Sequence, residues 1–252
     1  MKIEKVSEKN ISDTYCCLAE RQLIFKNEIA ECSTYMKEKI KQGWLTYVAY
    51  NDTGKPFGMA ILVPSSDPLS PITGENIYYF HCIEINQEMR NQGIGKQFID
   101  KISEDVKTLN GKGIAVDSFG DFWMPESFFT HLGFEAVQKY PGHTLLLKKF
   151  TKDSQVNLSD TVYKGDLAKS GIQIDIQLSP SCPFLIGNYR KARAIIEKLE
   201  PSAQIRERMI NLSEDVKKWG GTGVFINGKS ISGGPIDKET IKKALSEVKS
   251  SK

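Results

Sequence analysis

Apolar positions along the first half of the chain switch repeatedly between a period of two and a period near 3.6. Lys2 to Val6, Leu45 to Tyr50, Pro56 to Val63 and the strongly apolar Asn76 to Ile85 read as strands. Ser12 to Lys26 and Ala30 to Lys41 read as helices, the second stopping before Gly43. Asn51-Asp52-Thr53-Gly54 is a turn that makes a hairpin of the strands beside it, and Pro64 to Gly74 reads as a loop. The clearest helix places Ile94, Phe98, Ile102, Val106 and Leu109 on one face, with Asn110-Gly111 as its stop. Gly113 to Ser118 follows as a strand, then Pro125 to Leu132 as a short helix closed by Gly133. Ala136 to Tyr140 and Thr144 to Phe150 form a last pair of strands around Pro141-Gly142.

From Thr151 to Gly171 the pattern turns polar and loses its period, which places a domain boundary there. The expected organisation is a domain at 1–150, a linker at 151–170 and a second small domain at 171–252. In the latter, Ile172 to Leu178 and Ala203 to Ile210 read as strands, Phe184 to Leu199 and Ser213 to Trp219 as helices. Val224-Phe225-Ile226 and Ser230-Ile231 flank Asn227-Gly228, a strong hairpin signal because both residues tolerate positive φ. Lys238 to Val248 closes the chain as a helix. The fold class expected is α/β (α+β): a mixed central sheet with flanking helices, followed by a small α/β unit.

Composition narrows the function classes. With 34 basic and 31 acidic residues, net charge is +3, so nothing points to nucleic acid as a partner. No apolar run approaches the ~20 residues that span a bilayer, and the N-terminus lacks the apolar core of a signal peptide. Five cysteines without a CxxC pair argue against a disulfide framework and a four-cysteine zinc site, and no metal is expected. The reading is a cytoplasmic protein with reduced thiols.

Chemistry concentrates where the strand Ile83-Glu84-Ile85 hands over to the helix that begins near Gly93. The first N–H groups of a helix lack intrahelical partners and sit at the positive end of its dipole. Glycines let a phosphate approach such a backbone, and Arg90 and Lys96 add charge beside it. A third glycine at Rossmann spacing is absent, and so is the Walker pattern. The segment Arg90-Asn91-Gln92-Gly93-Ile94-Gly95-Lys96 resembles the pyrophosphate signature of the Gcn5-related N-acetyltransferases (GNAT). Phe128-Phe129-Thr130-His131-Leu132-Gly133-Phe134 resembles that family's later aromatic landmark. The resemblance spans residues 1–150. It implies acetyl-CoA as cosubstrate, with the backbone of Ile83 to Ile85 pairing to the pantetheine arm and residues 90–96 holding the pyrophosphate. It implies an amine acceptor, a small molecule or a peptide.

The family often draws the proton for its leaving thiolate from a tyrosine in the aromatic pair, where this chain has Phe129. Glu84 is the carboxylate nearest the strand end and carries two readings, general base or salt-bridged strand-end residue. Strand alternation sends His81, Ile83 and Ile85 to one face and Cys82 and Glu84 to the other. Phe122, Trp123 and Phe129 are the residues proposed to wall an acceptor pocket, against core packing as the plain alternative. His131 reads as a surface residue and His143 as structural.

In the second domain, Ser179-Pro180-Ser181-Cys182-Pro183-Phe184 and the hairpin Val224 to Gly234 resemble a thioredoxin- or glutaredoxin-like fold. Cys182 takes the position of the nucleophilic cysteine, with Leu185 in place of the second and Thr222 in place of the usual proline. A thiol near a helix N-terminus is expected to have a lowered pKa. The two domains together resemble the YoaP-type bacterial acetyltransferases. The competing readings are a redox-responsive module that captures CoA or another thiol at Cys182, and a non-catalytic scaffold. The sequence leaves the oligomeric state open, a dimer included.

Overall fold

The computed structural model describes the 252-residue chain except residues 22, 121–122, 141, 160–162, 232–235 and 251–252. The chain divides into two compact units, Met1–Glu20 with Met36–Asp160, and Arg21–Tyr35 with Thr161–Lys252. Of the stretch read as a linker, Asn157–Leu158 pairs antiparallel with Ile72–Thr73 inside the first unit.

The first unit is built on a seven-stranded mixed sheet. In chain order its strands are β1 (Lys2–Lys5), β2 (Leu45–Tyr50), β3 (Pro56–Pro64), β5 (Ile77–Ile85), β6 (Gly113–Ser118), β7 (Glu135–Tyr140) and β8 (His143–Lys149), with β4 (Ile72–Thr73) outside it. Their spatial order is β1-β2-β3-β5-β6-β8-β7. Every neighbouring pair is antiparallel except β5 with β6, and a parallel pair needs a crossover. Here α2 (Ile94–Thr108) supplies it. Its apolar face behaves as its periodicity demands: Ile94, Phe98, Ile102 and Val106 are buried against Tyr47, Leu62, Phe80 and Val116, while Leu109 caps the helix and stays half exposed. Burial of each such side chain contributes ~1.5–3 kcal/mol. The aromatic landmark begins on α3 (Glu126–His131) and continues past its end to Phe134.

Two expectations change. Ile11–Arg21 is a run of 3-10 turns, broken by non-helical Tyr15 and Leu18, instead of an α-helix; its Ser, Asp, Thr and Cys residues are poor helix formers. The α-helix that follows, α1, begins at Lys26 and runs through Lys41. Strict alternation along β5 also fails. A register shift against β3 at Ile61/Leu62 is a bulge, so Phe80, Ile83 and Ile85 all reach the α2 side, which a two-residue period forbids. His81 packs instead against Trp44, ring centroids 5.9 Å apart.

The second unit orders its elements as β10 (Gln173–Leu178), α4 (Pro183–Leu199), β11 (Gln204–Met209), α5 (Ser213–Trp219), β12 (Gly223–Ile226), β13 (Lys229–Ser230) and α6 (Lys238–Ser250). β9 is the Asn157–Leu158 strand. The sheet order is β11-β10-β12-β13, with β10 and β11 parallel and the other pairs antiparallel. β10 is central and buried on both sides. Ile174, Ile176 and Leu178 join Ala192, Ile196, Ile241 and Leu245 in an apolar core. Asp175 is wholly buried and meets Arg206, Arg208, Tyr163 and Gln173.

Candidate active site

The parallel pairing of β5 and β6 lasts only from Ile77–Tyr79 against Gly113–Ala115. Beyond it β5 continues to Ile85 on its other partner, β3, while β6 continues to Ser118 on β8. The two strands therefore part and leave facing edges without a ladder. Asn86 N–H donates to the Phe57 carbonyl, so by alternation Glu84 also turns its backbone to β3, and Ile83 and Ile85 turn theirs to the open side. The Ile85 carbonyl accepts from Arg90 Nε at 2.9 Å. Such an edge can take an extended, amide-bearing chain as an added strand.

A 3-10 turn at Gln87–Met89 then leads into α2. Asn91 (φ +62°) and Gly93 (φ +74°) are left-handed, and Gly93 caps the helix. The first helical bond runs from Gln97 N–H to the Gly93 carbonyl, and no side chain caps the amides of Ile94, Gly95 and Lys96. Asn91, Gln92, Gly93 and Lys96 are exposed, whereas the side chain of Ile94 belongs to the core. The two glycines serve different ends. A Cβ at Gly93 would meet nothing within 4 Å, so its glycine answers to backbone conformation and leaves open space. A Cβ at Gly95 would meet Phe128 at 2.5 Å, so that glycine answers to packing under the cradle.

Both flanking cations are already paired: Arg90 Nη2 with Glu84 Oε1 at 2.5 Å, and Lys96 Nζ with Asp100 at 2.5 Å. Arg90 and Lys96 are more than half exposed, and such pairs hold only ~0–1 kcal/mol. A dianionic phosphate can compete for them. Gln92 donates to the Glu88 carbonyl. The cradle thus offers a chain of unpaired amides with two exchangeable cations, which suits a pyrophosphate. Glu84 is salt-bridged to Arg90 at the strand end.

For Phe129 the acceptor-pocket expectation needs correction. Phe129 is wholly buried between Phe80, Phe128 and Phe134, centroids 5.9, 4.9 and 5.1 Å away, so it walls no pocket. A tyrosine there would bring a hydroxyl into an apolar cluster. Trp123 is exposed and stacks near Phe119 at 5.7 Å. Phe122 lies outside the described residues. His131 is exposed and bonds the Ser127 carbonyl.

One cluster escaped the sequence reading. Past the last residue that β6 shares with β5, Asp117 Oδ1 and His143 Nδ1 lie in hydrogen-bond contact at 2.6 Å. Tyr140 and Phe119 stack on the imidazole, with centroids at 4.7 and 5.7 Å. Burial pushes the Asp117 carboxyl up, and His143 partly offsets it. Ser118 Oγ beside them is buried without a hydrogen-bond partner. Only the β6–β8 register, which aligns Ser118 with Thr144, reveals the pair.

Residues 42–136 match the family model described as an acetyltransferase (GNAT) domain. Over this stretch the chain is similar to GNAT acetyltransferase domains. The matched stretch holds the open β5 edge, the cradle and the aromatic landmark. No curated protein matches the chain in sequence. Among solved structures, it is similar to a GNAT-family acetyltransferase from Staphylococcus aureus Mu50 (15% identity, 60% of this chain and 99% of that one, TM-score 0.47). It is also similar to the PaiA N-acetyltransferase of Thermoplasma acidophilum in complex with coenzyme A (15%, 60% and 100%, TM-score 0.44). A third is a GNAT-family acetyltransferase from Brucella melitensis in complex with acetyl-CoA (15%, 63% and 96%, TM-score 0.42).

In the second unit, Cys182 is the N-cap of α4 and is half-buried. Its thiol is raised above the ordinary value, the reverse of the expectation. Burial outweighs the pull of the Leu185 and Phe184 amides. No helix among the described residues is long and apolar enough to cross a membrane.

Proposed function

We propose that the GNAT domain transfers the acetyl group of acetyl-CoA to the amine of a small molecule or peptide. One observation carries this reading: the unpaired amides at the start of α2, beyond left-handed Gly93, lie next in the chain to the open edge of β5. Residues 91–96 would hold the pyrophosphate, with Arg90 and Lys96 released from Glu84 and Asp100 to meet it. Ile83 and Ile85 would pair with the pantetheine amides. Isothermal titration of the full chain with acetyl-CoA tests the reading. Saturable binding is expected in the wild type and its loss in Gly93→Trp, which fills the open space; no saturation at millimolar ligand in the wild type would refute it.

The second unit we read as thioredoxin-like and the whole as a YoaP-type arrangement, working in the cytoplasm. Support comes from the element order, the β11-β10-β12-β13 sheet and Cys182 at the head of the helix after the first strand. Burial of its thiol favours a docking role over dithiol chemistry.

A further inference from the structure

We propose that His143, held by Asp117, is the base that takes the proton from the incoming ammonium. The proposal rests on the acetyltransferase reading and adds a proton acceptor to it at the site where β5 and β6 part, since Phe129 is sealed in the core.

The position comes first. Ile114 and Val116 of β6 belong to the core under α2, so alternation puts Ala115 and Asp117 on the opposite face of the sheet. Ala115 is the last residue of β6 paired to β5, and Asp117 is two residues beyond. The carboxylate therefore stands where the strands separate, the place the thioester must reach if pantetheine lies along β5. The hairpin of β7 and β8 brings His143 to it through the Asp117↔Leu145 and Tyr140↔His143 registers.

The chemistry follows from the contact. An ionised carboxylate only accepts, so the 2.6 Å contact makes Nδ1 the protonated nitrogen and leaves Nε2 as the acceptor. The stacked rings of Tyr140 and Phe119 fix the imidazole plane, and a quarter of the His143 side chain stays open. The titratable groups facing the pair are Asp117 from β6, Tyr140 from β7 and Tyr79 of β5, whose hydroxyl is influenced by Asp117. Exposed Phe119 and Trp123 offer ring surface to a cationic acceptor.

The step balances as follows. Nε2 accepts one proton from R–NH3⁺. The freed nitrogen pair forms the C–N bond, the C–S pair leaves on sulfur, and the surplus proton on nitrogen passes to that sulfur to give the thiol. The imidazolium returns its proton to solvent, so one proton is released per turnover. His143 is the catalytic residue and Asp117 a positioning residue.

The test uses the full chain, acetyl-CoA, and spermidine and tyramine as probe amines. His143→Gln should keep acetyl-CoA binding by calorimetry, lower kcat ~10²–10⁴-fold and abolish the acidic limb of the pH–rate profile. Asp117→Asn should lower kcat less and shift that limb. A wild type that binds no acetyl-CoA defeats the acetyltransferase reading and this proposal together. A wild type that binds, with His143→Gln turning over unchanged, overturns this proposal alone. If neither probe is acetylated, or the variant does not fold, nitrogen-15 NMR of the wild-type histidines decides: an Nδ1–H tautomer at His143 supports the assignment and an Nε2–H tautomer overturns it.

Discussion

Replacing Gly95 by alanine should destabilise the first unit through one ring. The added Cβ would stand 2.5 Å from Phe128 Cε2 and 2.7 Å from Cζ, about 1 Å inside the ordinary contact range. Phe128 cannot yield freely, because its ring packs edge-on to Phe129 at 4.9 Å and Phe129 is wholly buried. Overpacking of this kind costs ~1–3 kcal/mol. The gain from alanine over glycine in a helix is at most ~1 kcal/mol, and less in a first turn. The net loss should be ~1–2 kcal/mol, which for a unit of this size lowers Tm by ~2–8 °C. The assay is a double-mutant cycle by thermal and urea unfolding with Gly95→Ala, Phe128→Leu and the pair. Phe128→Leu removes the atoms in conflict, so the double variant should recover at least ~1 kcal/mol against the sum of the singles. Strict additivity would refute the packing account and return Gly95 to a role in ligand approach. Gly93→Ala is the contrast: with open space around it, it should lose only the ~1 kcal/mol of a left-handed alanine and show no coupling to Phe128.

Three further outcomes follow from charge and burial. Burial holds His81 down to about 4, below its unfolded value of ~6.5, so the stability it contributes is present above ~6.5 and lost as the pH falls toward 4; urea midpoints should fall over that window more steeply in the wild type than in His81→Leu, and equal slopes would contradict this. Burial alone would raise Asp175, yet Arg206, Tyr163, Arg208 and Gln173 together bring it down to about 2. Its contribution is therefore present above the ordinary ~3.8 and lost as the pH falls through about 2. Asp175→Asn, which leaves two guanidinium groups uncompensated, should cost ~3 kcal/mol, read from hydrogen exchange of the β10 amides. The raised Cys182 thiol should be alkylated by iodoacetamide more slowly at neutral pH than exposed Cys17, the gap narrowing only above the ordinary thiol range; a faster Cys182 by peptide mass spectrometry would show a thiolate the fold does not provide.

What could be read from the sequence was what repeats locally. The face of α2 declares itself because Ile94, Phe98, Ile102 and Val106 keep a helical period over four turns, and the cradle is a property of one junction. What could not be read depends on partners far along the chain. The bulge in β5 is set by its register with β3, so period-two reasoning placed His81 with Ile83 and Ile85. The Ile72–Thr73 and Asn157–Leu158 strands are two residues each, too short to carry any pattern. Asp117 and His143 lie 26 residues apart and meet only through the β6–β8 pairing.

The same distinction explains why the reading of Phe129 as a pocket wall failed. A dense run of rings has two physical uses, to wall a pocket or to fill a core, and sequence spacing does not separate them. Burial does. Phe129 sits among Phe80, Phe128 and Phe134, and Phe128 presses on Gly95. The landmark therefore acts on the cradle from beneath: its rings pack on the first turn of α2, where no side chain caps the Ile94, Gly95 and Lys96 amides. Proton chemistry must then come from the opposite face of the sheet. There the separation of β5 from β6 leaves Asp117 unpaired on its β5 side, and the β7–β8 hairpin on its other side supplies an imidazole to it.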